Sequence, residues 1–136
     1  MVPGPAQVAA ALSRLATLPN PNDPAISDDH RFIASPWQVA PMPGVDPQVW
    51  DTAEATVVQV SGLTGTAPYL KRRKVARHIL SMGQSLTPFT SLPLVIRQGD
   101  RLVIVDGHHR LCALMLLGVE DAPVWLADVT TTETVQ

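Results

Sequence analysis

The stretch Leu102-Val103-Ile104-Val105-Asp106-Gly107-His108-His109-Arg110-Leu111-Cys112-Ala113-Leu114 changes character at its centre. The apolar, largely β-branched run before Asp106 reads as a buried strand. After Gly107, Leu111, Leu114 and Met115 mark one face of a helix. A strand therefore hands over to a helix at Asp106-Gly107. The first backbone N–H groups of a helix lack intrahelical partners and lie at the positive end of its dipole, so this junction attracts anions. Gly107 allows a ligand to come close to the backbone, and Arg110 offers a fork of charged donors suited to phosphate oxygens. His108 and His109 add further donors. A plainer alternative is that Asp106 caps the helix and Arg110 pairs with it at the surface.

Working outward, Leu94-Val95-Ile96-Arg97 and Arg101-Leu102-Val103-Ile104-Val105 form a hairpin through Gln98-Gly99-Asp100. Downstream, Gly118 ends the helix and Pro123-Val124-Trp125-Leu126 makes a last strand. Upstream, the spacing predicts a helix from Tyr69 to Met82, with Val75, Ile79 and Met82 on one face and Lys71, Lys74 and His78 on another. Gly83 stands at its C-cap. Ala55 to Val60 is strand-like, and Ser61-Gly62-Leu63-Thr64-Gly65-Thr66 breaks it.

Residues 1–53 read as a proline-rich arm: nine of the thirteen prolines lie in residues 1–50, and proline removes backbone donors and disfavours helix before it. A short helix opens the arm, since Pro5 suits a first turn and Val8, Leu12 and Leu15 recur at helical spacing. Residues 19–47 are expected to be irregular. Trp37 and Trp50 are costly to leave in water and should fold the arm onto the core, with disorder as the rival reading for residues 1–35. Residues 54–129 form the domain, and residues 130–136 a frayed tail. The fold class is α+β, a single domain with a small mixed sheet flanked by helices.

A chain of 136 residues with 46 % hydrophobic and 16 % charged residues suits one core and contains no stretch long enough to span a bilayer. No basic residue precedes the apolar patch at Val8 to Leu12, and Cys112 is the only cysteine. A cytoplasmic, reducing setting is expected, with no disulfide and no Cys-rich zinc site. The net charge of −2 hides an asymmetry: residues 69–110 hold eight Lys/Arg and two Asp, 8 − 2 = +6. Anionic ligands are favoured there.

Taken together, Val103 to Leu114, Leu117-Gly118, Ala122-Pro123-Val124, the upstream helix ending at Gly83, Pro88 and the hairpin resemble the ParB/sulfiredoxin superfamily, over about residues 69–128. The resemblance implies that the turn binds nucleotide phosphates. Sulfiredoxin uses a cysteine in Gly-Cys-His-Arg where His108 stands here, so no thiol is available to attack a phosphate. CTP-binding ParB proteins carry Gly-Glu-Arg-Arg-x-Arg. Here His108 replaces the Glu and Cys112 the last Arg, which weakens the case for CTP switching. The sequence ends at Gln136 without the helix-turn-helix that follows this domain in ParB, so sequence-specific DNA partition by this chain alone is not expected. The run is most similar to the Asp-Gly-His-[His/Thr]-Arg branch, which includes free serine kinases and small domains of phage and mobile-element proteins. In the kinases an Asp at the position of Asp106 and an upstream Glu matter for catalysis.

These residues lead to a nucleotide-binding protein that transfers or hydrolyses a nucleotide phosphate. Asp106, His108, His109 and Glu54 are the catalytic candidates, and Gly107, His108, His109, Arg110, Lys71 and Arg72 the phosphate-binding ones. Glu54 is preferred over Asp51 and Asp46 as the carboxylate near an acceptor, against the reading that all three are solvated. The ligand expected is ATP, ADP or CTP with Mg²⁺ held mainly by the phosphates and assisted by Asp106. Adjacent helical histidines do not converge, so no protein-built transition-metal site is expected. The run Lys71-Arg72-Arg73-Lys74 with Arg77 is open to three readings: nucleic-acid grip, pocket lining or solvated face. The alternative function is a non-catalytic module binding DNA or a protein partner.

Overall fold

The computed structural model describes residues 3–82 and 92–129. The expected helix cap at Gly83, the family position Pro88 and the tail from Thr130 lie outside the described residues. Helix α1 (Pro5–Thr17) starts on proline at its first turn and buries Ala11 and Leu15, which carries the helical spacing seen in the arm into packing. Strand β1 (Phe32–Ala34) follows, then a 3-10 helix (Pro47–Thr52), strand β2 (Glu54–Gln59) and strand β3 (Tyr69–Lys71). Helix α2 (Arg72–Met82), the hairpin β4 (Leu94–Gln98) and β5 (Arg101–Asp106), helix α3 (His108–Leu116) and strand β6 (Asp121–Asp128) complete the fold.

The main sheet has the order β2-β6-β4-β5. The β2–β6 and β4–β5 pairs are antiparallel and the β4–β6 pair is parallel, so the sheet is mixed and the fold α+β. The parallel pair requires a crossover, and β5 with α3 supplies it. Alternation along the strands sends Val58, Val95, Ile104, Ala122 and Val124 into one core with Leu111, Cys112 and Leu114 of α3 and Val75, Ile79 and Met82 of α2. Cys112 is buried, and burial pushes its thiol up to about 12. Buried as the neutral thiol, it packs as a small apolar core residue.

Two local differences from the sequence reading have a common cause. Tyr69–Lys71 is a strand, not the first turn of α2, because it pairs with β1 from the arm. β1 itself lies in the stretch expected to be irregular. Neither strand is stable without its partner, and the partners are separated by more than thirty residues of chain, beyond the reach of a local pattern.

The arm adds side chains to the same core, where Ala11, Leu15, Ile33 and Trp37 are buried. Trp37 donates its indole N–H to the Val60 carbonyl at 2.8 Å, so burial leaves its polar end satisfied. Trp50 is half-buried. Arg72 holds the arm in place. Its guanidinium donates to the carbonyls of Leu15 (2.6 Å), Leu18 (2.9 Å) and His30 (2.8 Å) and to Asn20 Oδ1 (2.9 Å), tying the C-terminal end of α1 and the chain before β1 to the start of α2. Beyond β5, Thr64 N–H donates to Leu102 O and Ile104 N–H to Thr64 O, both at 2.8 Å, so the connecting chain covers that sheet edge. No helix among the described residues is long and apolar enough to cross a membrane.

Candidate functional site

The β5–α3 junction is built around one glycine. Gly107 has φ +103°, and a Cβ on it would lie 2.7 Å from Pro93 Cβ and 3.1 Å from Pro93 Cα. Both the backbone angle and the space demand glycine. Gly107 is the N-cap of α3, with no side-chain cap hydrogen bond. Asp106 is therefore not the helix cap that the plainer reading made it. Its Oδ2 lies 3.6 Å from Arg110 Nη2, one helical turn on, so the surface pairing in that reading is present. A helix start that no side chain caps keeps backbone donors available to a ligand.

Each step along a helix rotates the next residue by about 100°, and the two adjacent histidines separate accordingly. His108 points inward and is 8 % exposed. Its Nε2 accepts the Thr66 N–H at 2.9 Å, and its ring meets Trp37 edge-on at 6.2 Å. Burial lowers its pKa, against a weaker pull from Asp106. His108 thus acts as a neutral acceptor within the core. His109 faces outward into a cleft, where its Nε2 accepts the Lys71 N–H at 3.1 Å. Burial, then the positive fields of Lys74, His108, His78 and Lys71, push it down to about 4. Because Nε2 accepts, the proton of the neutral ring sits on Nδ1.

The cleft has a volume of about 260 Å³ and is lined by Lys74, Arg77, His78, Asp106, Gly107, His109 and Arg110. Three formal cations face one carboxylate, 3 − 1 = +2. His78 is also held below the ordinary histidine value, first by burial and then by Arg110, Arg77 and Lys74. Three cations and two reluctant histidines around one hollow form a field that an anion would relieve.

No protein-family model, curated protein or solved structure matches this chain.

Of the residues singled out in the sequence, Asp106, Gly107, His109 and Arg110 meet in the cleft. His108 adjoins it from the core side. Arg72 does not line it, because its guanidinium is engaged by the arm. Lys71 turns to a different groove, beside Leu12, Phe32 and Arg73. Glu54 is remote: the register runs Glu54, Leu126, Val95, Ile104 across the sheet, and three strand spacings place it about 14 Å from β5. It lines a separate hollow with Thr52, Thr56, Arg97, Leu126 and Asp128. Asp46 accepts the Gln48 N–H at 2.9 Å as the cap of the 3-10 helix, and Asp51 lies exposed within that helix. Neither tryptophan of the arm lines the cleft. His78, which no motif in the sequence marks as a site residue, joins the cleft because it shares a helical face with Lys74, four residues earlier. Among the described residues, no group of three or more His, Cys, Asp or Glu is arranged to hold a metal ion.

Proposed function

We propose that this chain is a nucleotide-binding protein of the ParB/sulfiredoxin type that holds its ligand by the phosphates in the β5–α3 cleft. The observation that carries this reading is the convergence of Lys74, Arg77 and Arg110 on an uncapped helix start behind Gly107. Arg110 is the phosphate fork, the N–H groups of the first turn of α3 bind a second oxygen, and Lys74 and Arg77 neutralise charge from the facing helix. His109, whose Nε2 already accepts the Lys71 N–H, offers its Nδ1–H as a neutral donor, and a bound anion would favour the charged forms of His78 and His109.

Asp106 is the carboxylate of the site, with its side chain 70 % exposed beside the cleft. In this reading it orients or deprotonates the hydroxyl that receives the phosphoryl group, or the water that hydrolyses it. Its hard oxygen also suits Mg²⁺, which would neutralise phosphate charge when bound with a nucleotide. The alternative, a basic run gripping DNA, has less support. Arg72 is spent on the arm, Lys71 and Arg73 line the α1–α2 groove and Lys74 lines the cleft, so the run presents no continuous face.

Calorimetry with ATP, ADP and CTP, each with Mg²⁺, tests the reading. Saturable binding is expected, and Arg110→Ala should weaken it roughly ten- to a hundred-fold, the worth of one charge-assisted contact. Asp106→Asn should keep binding and lose turnover. An absence of binding at millimolar nucleotide would refute it.

A further inference from the structure

We propose that the groove between α1 and α2 is a second ligand site, which takes a free amphiphilic carboxylate: a medium-length alkyl chain with an anionic head. The proposal is independent of the reading of the β5–α3 cleft. The groove has a volume of about 730 Å³, within the roughly 300–1,000 Å³ range of small-molecule sites. Leu12, Leu15 and Ala16 of α1, Phe32 of β1 and Ala76 of α2 make an apolar floor. Such a surface gains by taking up an alkyl chain and gains nothing from a polar nucleotide.

The rim decides the head group. Arg31 is paired with Asp29 at 2.8 Å and lies over the Phe32 ring, and Arg72 is engaged by arm carbonyls. Lys71 and Arg73 remain at the mouth, and among the described residues no acidic side chain forms an ion pair with either. Two unbalanced cations above an apolar floor complement a molecule that is apolar along its length and negative at one end. A concave hollow of this size, bounded by two helices and the β1–β3 ribbon, suits such a ligand better than a partner helix.

The test uses the full chain with decanoate, dodecanoate, dodecanol and dodecyltrimethylammonium, each below micelle formation, followed by calorimetry and by methyl NMR. Saturable dodecanoate binding is expected, with shifts at Leu12, Leu15, Ala16 and Ala76. Dodecanoate should bind roughly ten- to fifteen-fold tighter than decanoate, from two more buried CH₂ groups. Lys71→Gln with Arg73→Gln should weaken it roughly three- to ten-fold, as for partly solvated ion pairs. Ala16→Trp, at an exposed position of α1, should fill the groove and abolish binding while the melting temperature is retained. If Ala16→Trp fails to fold, the charge variants and the shift map still decide. The proposal is overturned if dodecanoate does not saturate, if dodecyltrimethylammonium binds as tightly, or if the shifts fall outside the groove. Binding of an acidic amphipathic peptide in its place, with no response to dodecanoate, would also overturn it.

Discussion

Helix α2 serves two hollows that are chemically opposite. On one flank Lys74, Arg77 and His78 meet the α3 turn in a small polar cleft, and on the other Arg73 and Ala76 border a larger apolar groove closed by α1. The consecutive cations Lys71-Arg72-Arg73-Lys74 are dealt to three destinations, the groove, the arm and the cleft. A charge run in a sequence thus has no single role, because a helix turns successive residues in different directions. The turn side of α2 gathers charge around an open cleft, whereas the arm side uses one of its arginines to hold structure.

The contrast can be broken most severely at Gly107. Gly107→Ala places a Cβ against Pro93 and forces an L residue to positive φ, so a loss of about 2–5 kcal/mol is expected from overpacking and strain together. Chemical denaturation would measure it. A loss below 1 kcal/mol would mean that the turn relaxes easily and that its geometry is not enforced by glycine.

Arg72→Ala comes next, with an expected loss of about 2–3 kcal/mol as several charge-assisted bonds to arm carbonyls vanish. Urea titration gives the stability. Calorimetry on the folded protein should show nucleotide affinity unchanged within about two-fold, because Arg72 does not line the cleft. Selective loss of nucleotide binding, with stability intact, would restore Arg72 to the phosphate site.

A smaller effect concerns pH. His109 is held at about 4 against an ordinary 6.5, and the pKa values of His78 and His108 are also lowered. Below pH 6.5 the unfolded chain takes up protons that the folded chain resists, so stability should be full above 6.5 and decline as pH falls toward 4. A phosphate ligand should reverse the trend at the cleft by raising the His78 and His109 values. It should leave His108 less affected, since that ring faces the core. Histidine NMR titrations with and without phosphate would check this, and an unchanged His109 would place the anion elsewhere.

The smallest change is expected at Arg73. Exposed on the groove side and without an ion pair among the described residues, Arg73→Ala should alter stability by no more than about 0.5 kcal/mol. A thermal melt suffices to test it. A larger loss would show that this side, like Arg72, holds structure.

What the sequence determined by itself is the strand-glycine-helix junction, the β4–β5 hairpin and the apolar face of α2. Each is encoded within a few neighbouring residues: Gly107 between two changes of periodicity, Gly99 in a tight turn, and Val75, Ile79 and Met82 at helical spacing. Only the tertiary structure decided which charged groups share a hollow. It turned His108 into the core and His109 into the cleft, brought His78 and Arg77 to face Arg110, spent Arg72 on the arm and put Glu54 at the far sheet edge. It also made Tyr69–Lys71 a strand by supplying β1 from the arm. These outcomes depend on pairings between residues distant along the chain, and propensity and spacing act only over a turn or two; the contacts that select among locally equivalent positions do not exist until the elements pack.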